Sequence, residues 1–178
     1  MSTEGSDPSG PQTAEAFDHL AVECWFHNQL TDAADNYRRA LAIREQSFGP
    51  DHWEVADSIV RLAGACSFAG DHAEAESLWY RAIRIYEPYY RELMEARGEL
   101  FEHMFMSLAG VLGNIAIAAL QRGDTVAAER GYRRVGALIA EAFGPDCRWL
   151  PVGSPFATAL IEQGKQGGTD WAAALDAP

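Results

Sequence analysis

From residue 13 onward, apolar side chains recur three and four positions apart, the spacing of amphipathic helices. Ala14–Gln29 carries Phe17, Leu20, Ala21 and Cys24 in that register. Asn28-Gln29 interrupts it, and Thr31 opens a second helix that runs to about Phe48. Phe48-Gly49-Pro50-Asp51 then stops the chain. Gly49 supplies a left-handed end, Pro50 cannot continue the helix, and Asp51 with Glu54 reads as a capping box for a third helix. Gly70-Asp71 with Glu74, and later Gly123-Asp124, repeat this stop-and-cap grammar. Residues 1–12, rich in Ser, Gly and Pro, have no period and read as a flexible leader. After Asp146 the pattern weakens: Pro151, Gly153 and Pro155 delay a helix expected over Phe156–Gln163, and Trp171–Leu175 suits a last short turn.

The pattern also repeats. Phe17-x-x-Leu20-Ala21-x-x-Cys24 with Ala33-x-x-x-Tyr37-x-x-Ala40 returns 42 residues later as Ile59-x-x-Leu62-Ala63-x-x-Cys66 with Ala75-x-x-x-Trp79-x-x-Ala82. A further 53 residues on it reads Leu112-x-x-Ile115-Ala116-x-x-Ala119 with Ala128-x-x-x-Tyr132-x-x-Val135. The turn Phe143-Gly144-Pro145-Asp146 copies Phe48-Gly49-Pro50-Asp51 at a spacing of 95, so two landmarks agree on the register. Self-similarity on this scale predicts stacked two-helix units, each with an apolar face too large to bury alone. The fold expected is all-α: about three repeats (14–50, 51–98, 99–145) and a partial capping repeat (146–165) in a right-handed α-α superhelix. A tail or short capping helix follows at 166–178. Small residues at Ala21, Ala63 and Ala116 permit close helix approach, as Gly110-x-x-Gly113 would, and Tyr37, Trp79 and Tyr132 fill the gaps between units.

The longer second step has a local cause. No Phe-Gly-Pro-Asp turn separates the second and third repeats; helical spacing runs through Tyr86, Tyr89, Tyr90, Leu93 and Met94 to a glycine turn at Arg97-Gly98. It resumes through Leu100, Phe101, Met104, Phe105 and Leu108. Two helices lengthened by about six residues each would project by roughly 9 Å.

Composition narrows the function classes. Among 178 residues, 48% are apolar and 22% charged, a globular balance, and the net charge is −12 with Lys165 the one lysine. Such a chain repels nucleic acid and anionic membrane surfaces. No uninterrupted apolar run reaches the roughly 18 residues that cross a bilayer, and Met1–Pro8 lacks the features of a signal peptide. Three cysteines, two of them at matching repeat positions, suit a reduced, cytoplasmic protein. The dominance of arginine over lysine fits a GC-rich bacterial coding bias. Phosphate-loop, nucleophile-elbow and dinucleotide fingerprints are missing from the sequence. The run Glu92, Glu95, Glu99, Glu102, His103 lacks the paired Glu-x-x-His units of a carboxylate metal site and reads as a solvated face. No catalytic residue, metal site or cofactor is expected.

The repeated block resembles the tetratricopeptide repeat. The 42-residue spacing, with Arg39–Glu45 and Phe48–His52, is similar to its kinesin-light-chain variety. The resemblance covers residues 14–165 and departs from the family at Cys24, Cys66, Ala119 and Trp53. It implies a non-catalytic scaffold or adaptor whose concave face, lined by the first helix of each repeat, grips a peptide or helix of a partner. Carried onto this chain, that groove comprises Asp18, Val22, Trp25, Phe26, Asp57, Val60, Phe68, Ile117 and Leu120. It has acids at one end together with Glu15, and none of the basic clamp that binds C-terminal carboxylates. An apolar or amphipathic basic segment of another protein suits it; so does the chain's own C-terminal segment. The hairpin residues Tyr89, Tyr90, Met94, Phe101, Met104 and Phe105 form a second candidate surface. They would join a homodimer or larger assembly, or else simply pack against the stack.

Overall fold

A computed structural model describes residues 11–143, and among these every regular element is an α-helix. The helices are α1 (Pro11–Phe26), α2 (Leu30–Phe48), α3 (Trp53–Ala69), α4 (His72–Leu93), α5 (Glu99–Gln121) and α6 (Thr125–Phe143). The chain divides into two compact units, residues 1–111 and 112–178, the boundary falling within α5. The expected helix at 156–163, the Trp171–Leu175 turn, most of the second Phe-Gly-Pro-Asp turn, the partial fourth repeat and the tail lie outside the described residues.

In the first unit α1 packs on α2, α2 on α3 and α3 on α4, so consecutive helices form antiparallel hairpins laid side by side. The residues that recur in sequence make the contacts. Ala21, Ala33, Ala40, Ile59, Ala63, Ala75 and Ala82 are fully buried, with Tyr37, Leu62, Cys66 and Trp79 close behind. Leu20 is the instructive exception. It matches Leu62, which is 2% exposed beneath its neighbours, yet Leu20 is 46% exposed because no described helix precedes α1. In the second unit the rest of α5 and α6 bury Ala116, Ala118, Ala119, Ala128, Val135, Leu138 and Ala142. A Cβ built on Gly131 of α6 would lie 2.8 Å from the Cβ of Ala116, so this glycine is what lets the two helices approach. Gly110, expected to serve close packing, has open space around its Cα.

The turns largely follow the expected grammar. Asp71 caps α4 by accepting from the Glu74 N–H at 3.2 Å, and Asp124 accepts from the Ala127 N–H at 2.9 Å. Gly70 and Gly123 take the positive φ that ends the preceding helices. The first turn differs: His52, not Asp51, caps α3, its Nδ1 accepting from the Glu54 N–H at 3.3 Å while its ring stacks on Phe48. Arg97, not Gly98, takes the left-handed conformation between α4 and α5. Helix α1 starts at Pro11, inside the expected leader, since proline costs nothing where the first N–H has no helical acceptor.

The long pair is real but uneven. Helix α4 has 22 residues against 19 in α2, and α5 has 23 against 17 in α3, an excess of about 4.5 Å and 9 Å at 1.5 Å per residue. Helix α5 is also long and apolar enough to span a membrane by length and composition, with a mean hydropathy of 1.7 over its best window. That corrects the expectation of no such segment. Half of that window is buried inside the fold, where Phe101, Met104, Phe105 and Leu108 are core residues of the first unit.

Candidate functional site

The first-helix face of the first unit combines an exposed aromatic patch with two buried polar networks. Phe26 ends α1 and Phe68 lies one residue from the end of α3, 42 positions apart and therefore at the same place in successive repeats. They are 82% and 69% exposed, extreme values for phenylalanine on a folded surface. Trp25, half-buried near the end of α1, meets Phe68 of α3 edge-on with ring centroids 4.9 Å apart. Val22 is exposed one turn before Phe26, and Val60 is half-buried two turns before Phe68. Local sequence puts these rings here. Each lies just before a turn, at Asn28 (φ 59°) or Gly70 (φ 94°), off the buried stripe of its own helix.

The two acids expected in the groove are committed elsewhere. Asp18 Oδ2 accepts from Arg44 Nη2 of α2 at 2.6 Å, with Arg61 Nη2 of α3 at 3.6 Å. Arg44 is buried and also donates to Ser58 Oγ at 2.9 Å, and Ser58 in turn donates to the Glu54 carbonyl. Asp57 accepts from the Tyr86 hydroxyl of α4 and contacts His103 Nε2 of α5 at 3.0 Å. His103 sits edge-on to Trp53, and Ser107 is hydrogen-bonded to Tyr86. Burial, and then the Asp57 carboxylate, push the Tyr86 phenol up; burial and Asp18 do the same to Tyr37. Asp18 and Asp57 thus bind helix to helix.

Arg44, Ser58, Arg61, Tyr86 and His103 were missing from the sequence-based site. One signal was readable: Arg44 lies on the buried stripe Tyr37, Ala40, Leu41, and 42 residues later the same repeat position holds Tyr86. In both repeats, a long polar-tipped side chain there reaches an acid on the preceding first helix and a serine on the following one.

The hairpin residues fall inside the unit. Tyr90 stacks on Phe101 at 5.6 Å and Phe101 on Phe105 at 6.4 Å, and these three with Met104 are almost completely buried. Tyr90 of α4 meets Phe101 of α5, and the aromatic content expected to form a joint between molecules is buried within the unit. Tyr89 and Met94 are half-buried. Ile117 and Leu120, the remaining groove residues, are half-buried on α5 in the second unit.

Cys24 and Cys66 occupy packing slots, as accepting partners 3.7 Å from Asn36 Nδ2 and Arg38 Nη2. Burial, with Glu74 nearby, pushes the Cys66 thiol up to about 11, the reverse of what a nucleophilic thiol requires. Among the described residues, no three His, Cys, Asp or Glu side chains converge as a metal site would need.

Comparison with curated proteins finds no match. Residues 24–87, from the end of α1 to near the end of α4, match the tetratricopeptide repeat family. The segment contains both Phe26 and Phe68 and the 42-residue register from Cys24 to Ala82. Its sequence pattern, its helix pairing and this match agree, and residues 24–87 are of the tetratricopeptide repeat type.

Proposed function

We propose that this protein is a non-catalytic interaction module that holds a segment of another protein on the first-helix face of α1 and α3. The observation that carries the reading is the pair Phe26 and Phe68, exposed at the same repeat position, with Trp25 against the Phe68 ring. Large aromatic rings left this exposed at one repeat's spacing add little to the fold of this unit beyond the edge contact of Phe68 with Trp25. In an interface they are the side chains that dominate binding energy. A cytoplasmic adaptor role fits this reading, as does the likeness of the 42-residue spacing to the kinesin-light-chain variety of repeat.

The test is capture of a partner by the intact chain and by the Phe26→Ser/Phe68→Ser double variant. Both rings are exposed, so helicity and thermal stability should match the parent while the captured partner is lost. Trp25→Ala should weaken capture as well, with helicity retained. Undiminished capture by the double variant would overturn the assignment.

A further inference from the structure

The charge carried by the two classes of helix is unequal. Helices α1 and α3 hold Glu15, Asp18, Glu23, Glu54 and Asp57 against the single Arg61, a net of −4 with histidines neutral. Helices α2 and α4 hold six arginines against seven acids, close to balance. The negative excess of the unit therefore lies on the helices that bear the aromatic patch. Asp18 and Asp57 are tied up internally, but Glu15 and Glu23 on α1 are exposed. Glu23 is three residues before Phe26 and Glu15 seven before Val22, spacings that share one side of the helix. The C-terminal ends of α1 and α3, which carry partial negative charge, lie beside the same rings.

We infer that the occupant of the Phe26–Trp25–Phe68 patch is a foreign segment in which lysine or arginine flanks large apolar residues. The inference rests on the interaction role proposed above and adds the chemistry of the partner. Apolar side chains of the segment cover the rings, and its cations lie between Glu15 and Glu23 and over the aromatic faces, where a cation is favoured. A second copy of this chain suits the patch poorly, because each copy carries −12 and like charge opposes close approach.

Two synthetic amphipathic peptides with leucine at helical spacing, one with lysine and one with glutamate on the polar face, test this by fluorescence anisotropy. The lysine peptide should bind saturably at one site. The glutamate peptide should bind at least about tenfold more weakly, and raising the salt should loosen the lysine complex. Glu15→Lys/Glu23→Lys should lower lysine-peptide affinity by roughly five- to tenfold, whereas Glu92→Lys/Glu95→Lys, which reverses two exposed acids at and just beyond the far end of α4, should leave it unchanged. Equal affinity for both peptides, with sensitivity to Phe26→Ser/Phe68→Ser retained, overturns the charge inference and leaves the docking role standing. Equal losses from the two charge-reversed variants reduce the effect to bulk charge and also overturn it. Lysine-peptide binding indifferent to Phe26→Ser/Phe68→Ser overturns both.

Discussion

Replacing Arg44 by leucine isolates what holds the first two repeats in register. Arg44 is 7% exposed, and its guanidinium joins Asp18 on α1 to Ser58 on α3. Removal leaves the Asp18 carboxylate, whose Oδ1 is already buried without a protein donor, with Arg61 at 3.6 Å as its remaining ion pair. Breaking a buried pair from one side typically costs about 3–5 kcal/mol, mostly for the charge left behind. Arg61 is half-exposed and partly compensates, which places the expected loss near the lower bound, about 3 kcal/mol. For a chain of this size that lowers the melting temperature by roughly 6–12 °C. The double variant Asp18→Leu/Arg44→Leu removes the stranded charge as well, so it should be less damaged than the single one, with a coupling of about 2 kcal/mol or more. Urea and thermal denaturation followed by circular dichroism measure both. A single-variant loss under about 1 kcal/mol, or a double-variant loss equal to the sum of the two singles, would refute the claim that this network fixes the inter-repeat contact.

Other sites give independent checks. Gly131→Ala drives a methyl to 2.8 Å from Ala116, so it should destabilise the protein by about 1–2 kcal/mol despite alanine's better helix propensity. Adding Ala116→Gly should restore most of that loss. Gly110→Ala meets no atom within 4 Å and should stabilise by about 0.5–1 kcal/mol in the same denaturation assay. The buried Cys66 thiol stays neutral to about pH 11 in the folded chain, while an unfolded thiol ionises near 8.5. The unfolded state therefore releases its proton first, and stability should fall by about 2–3 kcal/mol as pH rises from 9 to 11. Cys66→Ala should lack that component of the slope.

The family and the helix pairing could be read from the chain because they rest on repetition. A 42-residue period with Ala and aromatic residues at constant offsets admits few other folds, and these residues, like the Gly-Asp turns, act locally, in a packing slot or a cap. Asp71, Asp124 and Gly70 behave as their neighbours in sequence require. His52 displaced Asp51 as a cap within a single residue's slack, a choice set by the ring stacking on Phe48.

The aromatic patch was half legible. Trp25, Phe26 and Phe68 could be named from their place outside the buried stripe. Asp18 and Asp57 looked like equally good groove residues, because sequence spacing reveals which side of a helix a carboxylate occupies but not which cation reaches it. That depends on Arg44 arriving from 26 residues away and His103 from 46. The hairpin misled for a related reason. Tyr90, Phe101, Met104 and Phe105 have the composition of an interface, and only their burial in the folded unit shows that they are core.

By itself the sequence determined the units: which segments are helical, where they stop, and which small and aromatic residues recur at their contacts. These follow from backbone propensity and periodic burial, both written in nearest-neighbour order along the chain. Tertiary structure alone decided which charges are spent and which remain. Long polar side chains choose partners across helices, where a shift of an ångström separates an internal ion pair from a surface that can bind another molecule.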